Sequence, residues 1–187
     1  FEWLLDKYDA DRTRSRAGEI ALGTVDSWLL YKLTGEYRVE LGNASRTQLL
    51  DIHSGDWSAE LLELFNVPIE ALPQLAASDS PSAELKTTKA KGLKVLAVLA
   101  DSHAALFAHG SNIKATFGTG SSIMALSDKD APGLVQTVAW QQGDKIVTAL
   151  EGNMPPLDRY FILKVNRKLK HETFGTGDNN RWHGAIE

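Results

Sequence analysis

The stretch LKVLAVLADSHAALFAHG, residues 93–110, constrains the fold of this chain more than any other. Leu93 to Leu99 is an apolar run of strand length. Asp101 and Ser102 follow at once. HAALFAHG then reads as a small-residue helix with a glycine stop at Gly110. A strand that hands over to a helix predicts an α/β domain, and it puts Asp101 where ligands bind in open α/β sheets, at the carboxyl end of a strand. A carboxylate there can accept a proton from a substrate hydroxyl, hydrogen-bond it, or help hold Mg²⁺ through water. The competing reading is structural: Asp101 caps the helix that follows it.

The second informative stretch is ATFGTGSSI, residues 115–123. Ile113 to Phe117 and Ser121 to Leu126 read as strands around a GTG turn. The glycines let backbone N–H groups approach a phosphate, with hydroxyl donors beside them. They suit a plain hairpin equally well. The turn is not a GxxxxGK[ST] loop, and no GxGxxG follows a strand. Val135 to Trp140 and Lys145 to Leu150 form another strand pair around Gln142–Gly143–Asp144, so the second half predicts a meander. A second GTG, Gly175 to Gly177, shares only those three residues with the first. Phe161 to Val165 reads as a short helix or strand.

The first half is mostly helical. Phe1, Leu4, Leu5 and Tyr8 have helical spacing. Asp9–Ala10–Asp11 offers a cap for a short helix from Arg12 to Gly18, whose arginines are expected on a solvated face. Thr24 is the expected N-cap of VDSWLLYKLTG, in which Val25, Trp28, Leu29 and Leu33 form one apolar stripe and Gly35 is the stop. Asp26 lies in the first turn, where the helix dipole favours a carboxylate. Tyr37 to Leu41 reads as a strand and Asn43–Ala44–Ser45 as a turn. Ser58 caps a helix carrying Leu61, Leu62 and Phe65, and Pro68 and Pro73 bracket a short helical turn. Ser78 to Lys91 reads as an exposed connection.

Composition excludes several functions. The net charge of −4 argues against a nucleic-acid partner. The absence of cysteine excludes disulfides and thiolate metal sites. No apolar run reaches the roughly 20 residues of a membrane helix. The five histidines have no metal-ligand spacing, and Ser102 beside His103 is no nucleophile–base pair, because adjacent residues point apart. A cytoplasmic location is expected. Phe1 in place of a methionine suggests a processed chain or a fragment.

Five segments, GEIALGTVDSWLLYKLTGE, NASRTQLLDIHSGDWSAELLELFNVPIEALP, LADSHAALFAHG, ATFGTGSSIMALS and ALEGN, stand in one order over about residues 1–153. In that order they resemble the FGGY family of carbohydrate kinases. The resemblance implies an α/β, ribonuclease-H-like (actin-like ATPase) fold with parts of two domains, residues 1–110 ending the substrate domain and residues 111–187 starting the ATP-binding domain. It implies ATP and Mg²⁺ as cofactors and phosphorylation of a sugar or polyol hydroxyl. Asp101 matches the family's catalytic base, which also contacts substrate and can face Mg²⁺ through water. Ser102 and Ser122 match substrate-contact positions. Gly118, Thr119 and Gly120 match the turn facing the ATP phosphates, and Glu151–Gly152–Asn153 matches the end of the following strand. The partner implied is a small sugar or polyol, with no nucleic acid and no membrane; a homodimer is a further option.

Departures from the family shape the expectation. Ala100 replaces a glycine, Ser102 stands where Gln or Asn is common, and Ser122 stands where glycerol kinases carry an aromatic. The last two favour a pentulose or larger polyol over glycerol. The connection from Gly110 to Ile113 is short, and PPLDRYFILK departs from the family after Asn153. The family's Asp-Gly-Thr phosphate loop would precede Phe1 and its adenine pocket would follow Glu187, so the chain reads as a central fragment, inactive alone. A non-catalytic α/β ligand-binding domain is the alternative.

Overall fold

The computed structural model describes residues 1–86, 89–110, 113–117, 121–154 and 182–184. Two compact units result: unit 1 comprises Phe1–His103 and Thr137–Thr148, and unit 2 comprises Ala104–Gln136 and Ala149–Glu187. Among the described residues no helix is long and apolar enough to cross a membrane.

Unit 1 opens with helices α1 (Glu2–Tyr8) and α2 (Thr13–Arg16). Between them Asp9 accepts from the Arg14 and Ser15 amides and Asp11 from the Thr13 amide, which satisfies donors that a first helical turn leaves open. Arg14 and Arg16 are exposed, as expected, but Arg12 is buried. Its guanidinium donates to Asp6 Oδ1 (2.5 Å) and to the carbonyls of Asp9, Ala10 and Asn66. A charge without water needs that many acceptors, and a short arginine run gives no sign of which member will find them.

Helix α3 (Val25–Thr34) stops at Gly35, whose φ of 83° is the left-handed conformation that glycine adopts most readily. It buries Ser27, Leu30 and Thr34. The stripe of Val25, Trp28 and Leu29 is instead exposed, at 82%, 61% and 48%. Strand β1 (Arg38–Glu40) then pairs in parallel with β4 (Gln74–Ala76), with Val39 opposite Leu75. Glu40 ends the strand and caps α4 (Leu41–Ser45). Asn43 to Ser45, expected as a turn, are therefore helical: the Glu40 carboxylate takes up the first amide donors and lets the chain wind on.

Strands β2 (Leu50–Asp51) and β3 (Asp56–Trp57) form a small antiparallel pair. Helix α5 (Ala59–Leu64) carries the expected Ser58 cap, with Leu61 N donating to Ser58 Oγ at 3.3 Å. A 3-10 turn, Ile69–Ala71, follows Pro68. Leu5, Leu22, Leu49, Leu62, Val67, Ala71 and Leu72 make one apolar core, and Val39, Leu41, Ala44, Leu50 and Val138 make a second.

In unit 2, β5 (Ile113–Phe117) and β6 (Ser121–Leu126) are antiparallel, with Thr116 opposite Ser122. Strand β7 (Val135–Gln142) joins β8 (Lys145–Met154) across Gly143. The outer part of that hairpin belongs to unit 1. Strand β8 pairs with β6, and β5 with β9 (Trp182–Gly184), all antiparallel. The expected pairs β5–β6 and β7–β8 are present, but the sheet order is β7-β8-β6-β5-β9: β6 lies beside β8 and not β7, so the strands do not form a simple meander. The element expected at Phe161 to Val165 and the second GTG lie outside the described residues.

Candidate active site

Asp101 is the first residue of helix α6, Asp101–His109, which ends at Gly110 as its glycine stop demands. The segment before it differs from expectation. Leu93 to Leu99 is not a sheet strand; among the described residues its one ladder contact is an antiparallel bridge, Glu84↔Lys94. The run is extended and hydrogen-bonded to the chain at 78–85: Leu85 N to Leu93 O (2.7 Å), Ser82 N to Val95 O (2.8 Å), Val95 N to Ser82 Oγ (2.8 Å) and Val98 N to Ser78 O (2.9 Å). Leu93 and Leu96 are more than half exposed, so the apolar run is not sandwiched as a central strand would be. The partner segment is exposed over most of its described residues, as expected of a connection, but Ser78 and Ser82 are buried.

Asp101 is exposed, and its Oδ1 accepts the Ser102 amide at 2.7 Å. The bond is to the adjacent residue and the aspartate is itself helical, so it does not have the cap geometry in which the side chain reaches two or three residues ahead. The carboxylate is oriented at the positive end of the helix, where negative charge is favoured. Ser102 is half-buried. His103, next along, is buried.

Ser122 lies on β6 in unit 2, half-buried, in register with Thr116 on one side and Asn153 on the other. Side chains opposite each other in a ladder share a face, so these three make a polar row across β5, β6 and β8. Thr116 Oγ1 is buried and has no hydrogen-bond partner among the described residues. Gly118, Thr119 and Gly120, the expected phosphate turn, lie outside the described residues. Glu151, Gly152 and Asn153 are all in β8.

Among the described residues no three His, Asp or Glu side chains converge on a metal site. Asp101 is therefore not part of a three-ligand cluster among those residues. That suits Mg²⁺ held through its water shell, since Mg²⁺ keeps several waters and often uses one or two carboxylates beside substrate phosphates.

Sequence reasoning missed the ionisable centre of unit 1. Glu40 is 1% exposed and accepts four hydrogen bonds, from Gly42 N, Asn43 N and Asn43 Nδ2 at 2.9 Å and from Ser78 Oγ at 2.5 Å. Burial pushes its carboxyl above the usual carboxylate range in spite of those donors. The available signal was the one used for Asp101, an acid at the end of a strand just before a helix. Asp26, placed in the first turn of α3, also makes specific bonds: it accepts from Thr24 Oγ1 and from Glu40 N.

Comparisons with known proteins bear on the family and the fold. Residues 1–108 match the N-terminal domain of the FGGY family of carbohydrate kinases. Glycerol kinase of Burkholderia cenocepacia is 39% identical over 81% of this chain, and glycerol kinase 1 of Thermotoga maritima is 42% identical over the same share. The chain spans about a third (33%) of the length of those relatives. Among solved structures, Plasmodium falciparum glycerol kinase with ADP superposes with a TM-score of 0.77 at 23% identity, covering 90% of this chain and 36% of its own. Xylulose kinase from Rhodospirillum rubrum gives 0.68 at 22%, covering 90% and 35%. The fold is that of these kinases, α/β of the ribonuclease-H-like, actin-like ATPase class. With more than half of its length matched by the family model and its folded segments superposing on family structures, the chain belongs to the FGGY family of carbohydrate kinases.

Proposed function

We propose that the protein to which this chain contributes transfers the terminal phosphoryl group of ATP to a hydroxyl of a sugar or polyol. Asp101 is the general base. Its carboxylate, exposed and oriented at the head of α6 by the Ser102 amide, is the observation that carries this reading. It accepts the proton of the attacking hydroxyl as the oxygen–phosphorus bond forms. Ser102 and Ser122 hydrogen-bond the acceptor, and Gly118, Thr119 and Gly120 face the ATP phosphates. When bound, ATP supplies the phosphoryl group and Mg²⁺ spreads its negative charge. Phosphoryl transfer asks little more of the protein than positioning and charge, so a single placed carboxylate suffices as base. Residues 1–110 belong to the substrate domain and residues 111–187 to the ATP domain. The setting is cytoplasmic.

The acceptor is a pentulose or a polyol longer than glycerol. The polar row Thr116–Ser122–Asn153 supports this, since it offers hydroxyl and amide groups where a hydrophobic contact would suit a three-carbon substrate. A second reading, glycerol itself, is favoured by the relatives named glycerol kinase at 39–42% identity. ADP release by the complete protein over a panel of glycerol, xylulose, ribulose and xylitol separates them. A kcat/KM for glycerol above that for every larger acceptor overturns the first. Binding of a sugar without any turnover returns the chain to the non-catalytic alternative.

A further inference from the structure

We propose that Ser78, with the buried Glu40 carboxylate, is a positioning residue that sets the backbone carrying Asp101. This rests on the reading of Asp101 as general base. Ser78 is buried and uses each of its polar groups. Its Oγ donates to Glu40 Oε1 at 2.5 Å and accepts from Gln141 N at 2.9 Å. Its amide donates to Gln141 O and its carbonyl accepts from Val98 N, both at 2.9 Å. The Ser78 side chain thus joins the end of β1 to strand β7, and its backbone carbonyl, held in place by those bonds, receives the run that enters α6. Val98 is three residues before Asp101.

The same carboxylate reaches the other side of Asp101. Glu40 Oε1 also holds the Gly42 amide. A Cβ built on Gly42 would lie 3.0 Å from His103 Nδ1 and 3.1 Å from Glu40 Oε1, so Gly42 fits between the two without room to spare. His103 is two residues after Asp101. Asp101 is therefore bracketed: Val98 before it is tied to Ser78, and His103 after it packs on Gly42. Ser78 and Gly42 are both hydrogen-bonded to Glu40 Oε1.

Burying a carboxylate is unfavourable, and a serine–glutamate pair adds nothing to apolar packing. Four donors, however, fix a carboxylate in position and in plane, because charge-assisted bonds are short and directional. Such a fixed point can hold an exposed aspartate on a helix terminus in register with its substrate. Misplacing a reacting group by an ångström lowers the rate by about a hundredfold.

The test uses the complete kinase, with ADP release as the readout and Ser82→Ala as the control. Ser82 is an equally buried serine on the same segment, and it too bonds the run before α6, but its hydroxyl bonds Ala83 O and Val95 N and not Glu40. Ser78→Ala is expected to lower kcat by about ten- to a hundredfold with little change in either KM, whereas Ser82→Ala leaves kcat nearly unchanged. In an Asp101→Asn background, Ser78→Ala is expected to produce no further loss, because the group it positions is gone. An unchanged kcat in Ser78→Ala, or an equal loss with and without Asp101, overturns the proposal. Full activity of Asp101→Asn overturns the base assignment itself and is recognisable as such. Should Ser78→Ala fail to fold, Ser78→Cys makes the same comparison, since it fills the site with a weaker donor. Amide hydrogen exchange between Val98 and His103 should quicken in either variant, and unaltered protection there in a folded variant also overturns the proposal.

Discussion

Gly42→Ala opposes two effects of known size. In a helix, alanine is favoured over glycine by about 1 kcal/mol. Gly42 is helical and its φ is not positive, so on propensity alone the substitution stabilises. The surroundings work against it. The new methyl would sit 3.0 Å from Val138 O, 3.0 Å from His103 Nδ1 and 3.1 Å from Glu40 Oε1. None of the three is the free end of a flexible side chain: Val138 O is backbone of a strand whose side chain is in the core, His103 is buried, and Glu40 is pinned by four donors. Each must retreat by a few tenths of an ångström together. Overpacking of this kind costs about 1–3 kcal/mol. The penalty wins, with a net loss of about 1 kcal/mol and a fall in melting temperature of about 3–6 °C for a unit of this size. Urea denaturation followed by circular dichroism reads the change directly. A variant more stable than the parent by about 1 kcal/mol, the helix-propensity value, would refute the packing argument.

Three further predictions concern other sites. Arg12→Met should destabilise unit 1 by about 2–4 kcal/mol, because it strands the Asp9, Ala10 and Asn66 carbonyls in a buried site, and a melt within a degree of the parent would contradict this. Glu40 makes stability depend on pH: its folded pKa lies above the ordinary 4.5, so its contribution is complete below that value and is lost as pH rises through the raised folded pKa. Glu40→Gln should therefore flatten the decline of stability with rising pH in that window, with Asp26 and His103 as the neighbouring titratable groups, and an unaltered slope would show that Glu40 is not its source. Ser122→Phe should shift the kcat/KM ratio towards glycerol and away from xylulose by about tenfold, read from the same ADP assay; an unchanged ratio would remove Ser122 from the acceptor site.

What was legible in the sequence was what local chemistry decides. Ser58 and Gly35 mark their helix ends in agreement with the structure, Gly110 ends α6, and the two runs on either side of the first GTG correspond to β5 and β6. Asp101 stood out as a candidate because an acid between an apolar run and a small-residue segment is a local pattern. Where the outcome depends on distant partners, the same reasoning failed. Period 3.6 identified α3 but not its buried face, because the side that carries Ser27, Leu30 and Thr34 is chosen by tertiary packing, which includes β1, and not by the apolar stripe. The run at 93–99 has strand composition but pairs with the chain at 78–85 by scattered hydrogen bonds and a single bridge. Ser78 looked like part of an exposed loop because its acceptor, Glu40, is 38 residues earlier and its β7 partner, Gln141, is 63 later.

The central claim is that Asp101 removes the proton from the acceptor hydroxyl in an ATP-dependent phosphoryl transfer. The direct measurement is the single-turnover rate of ADP formation by the complete kinase and its Asp101→Asn variant at saturating acceptor. The account predicts a loss of about a hundredfold to ten-thousandfold in that rate, with the fold intact by circular dichroism. A variant that forms ADP at the parent's rate would contradict it.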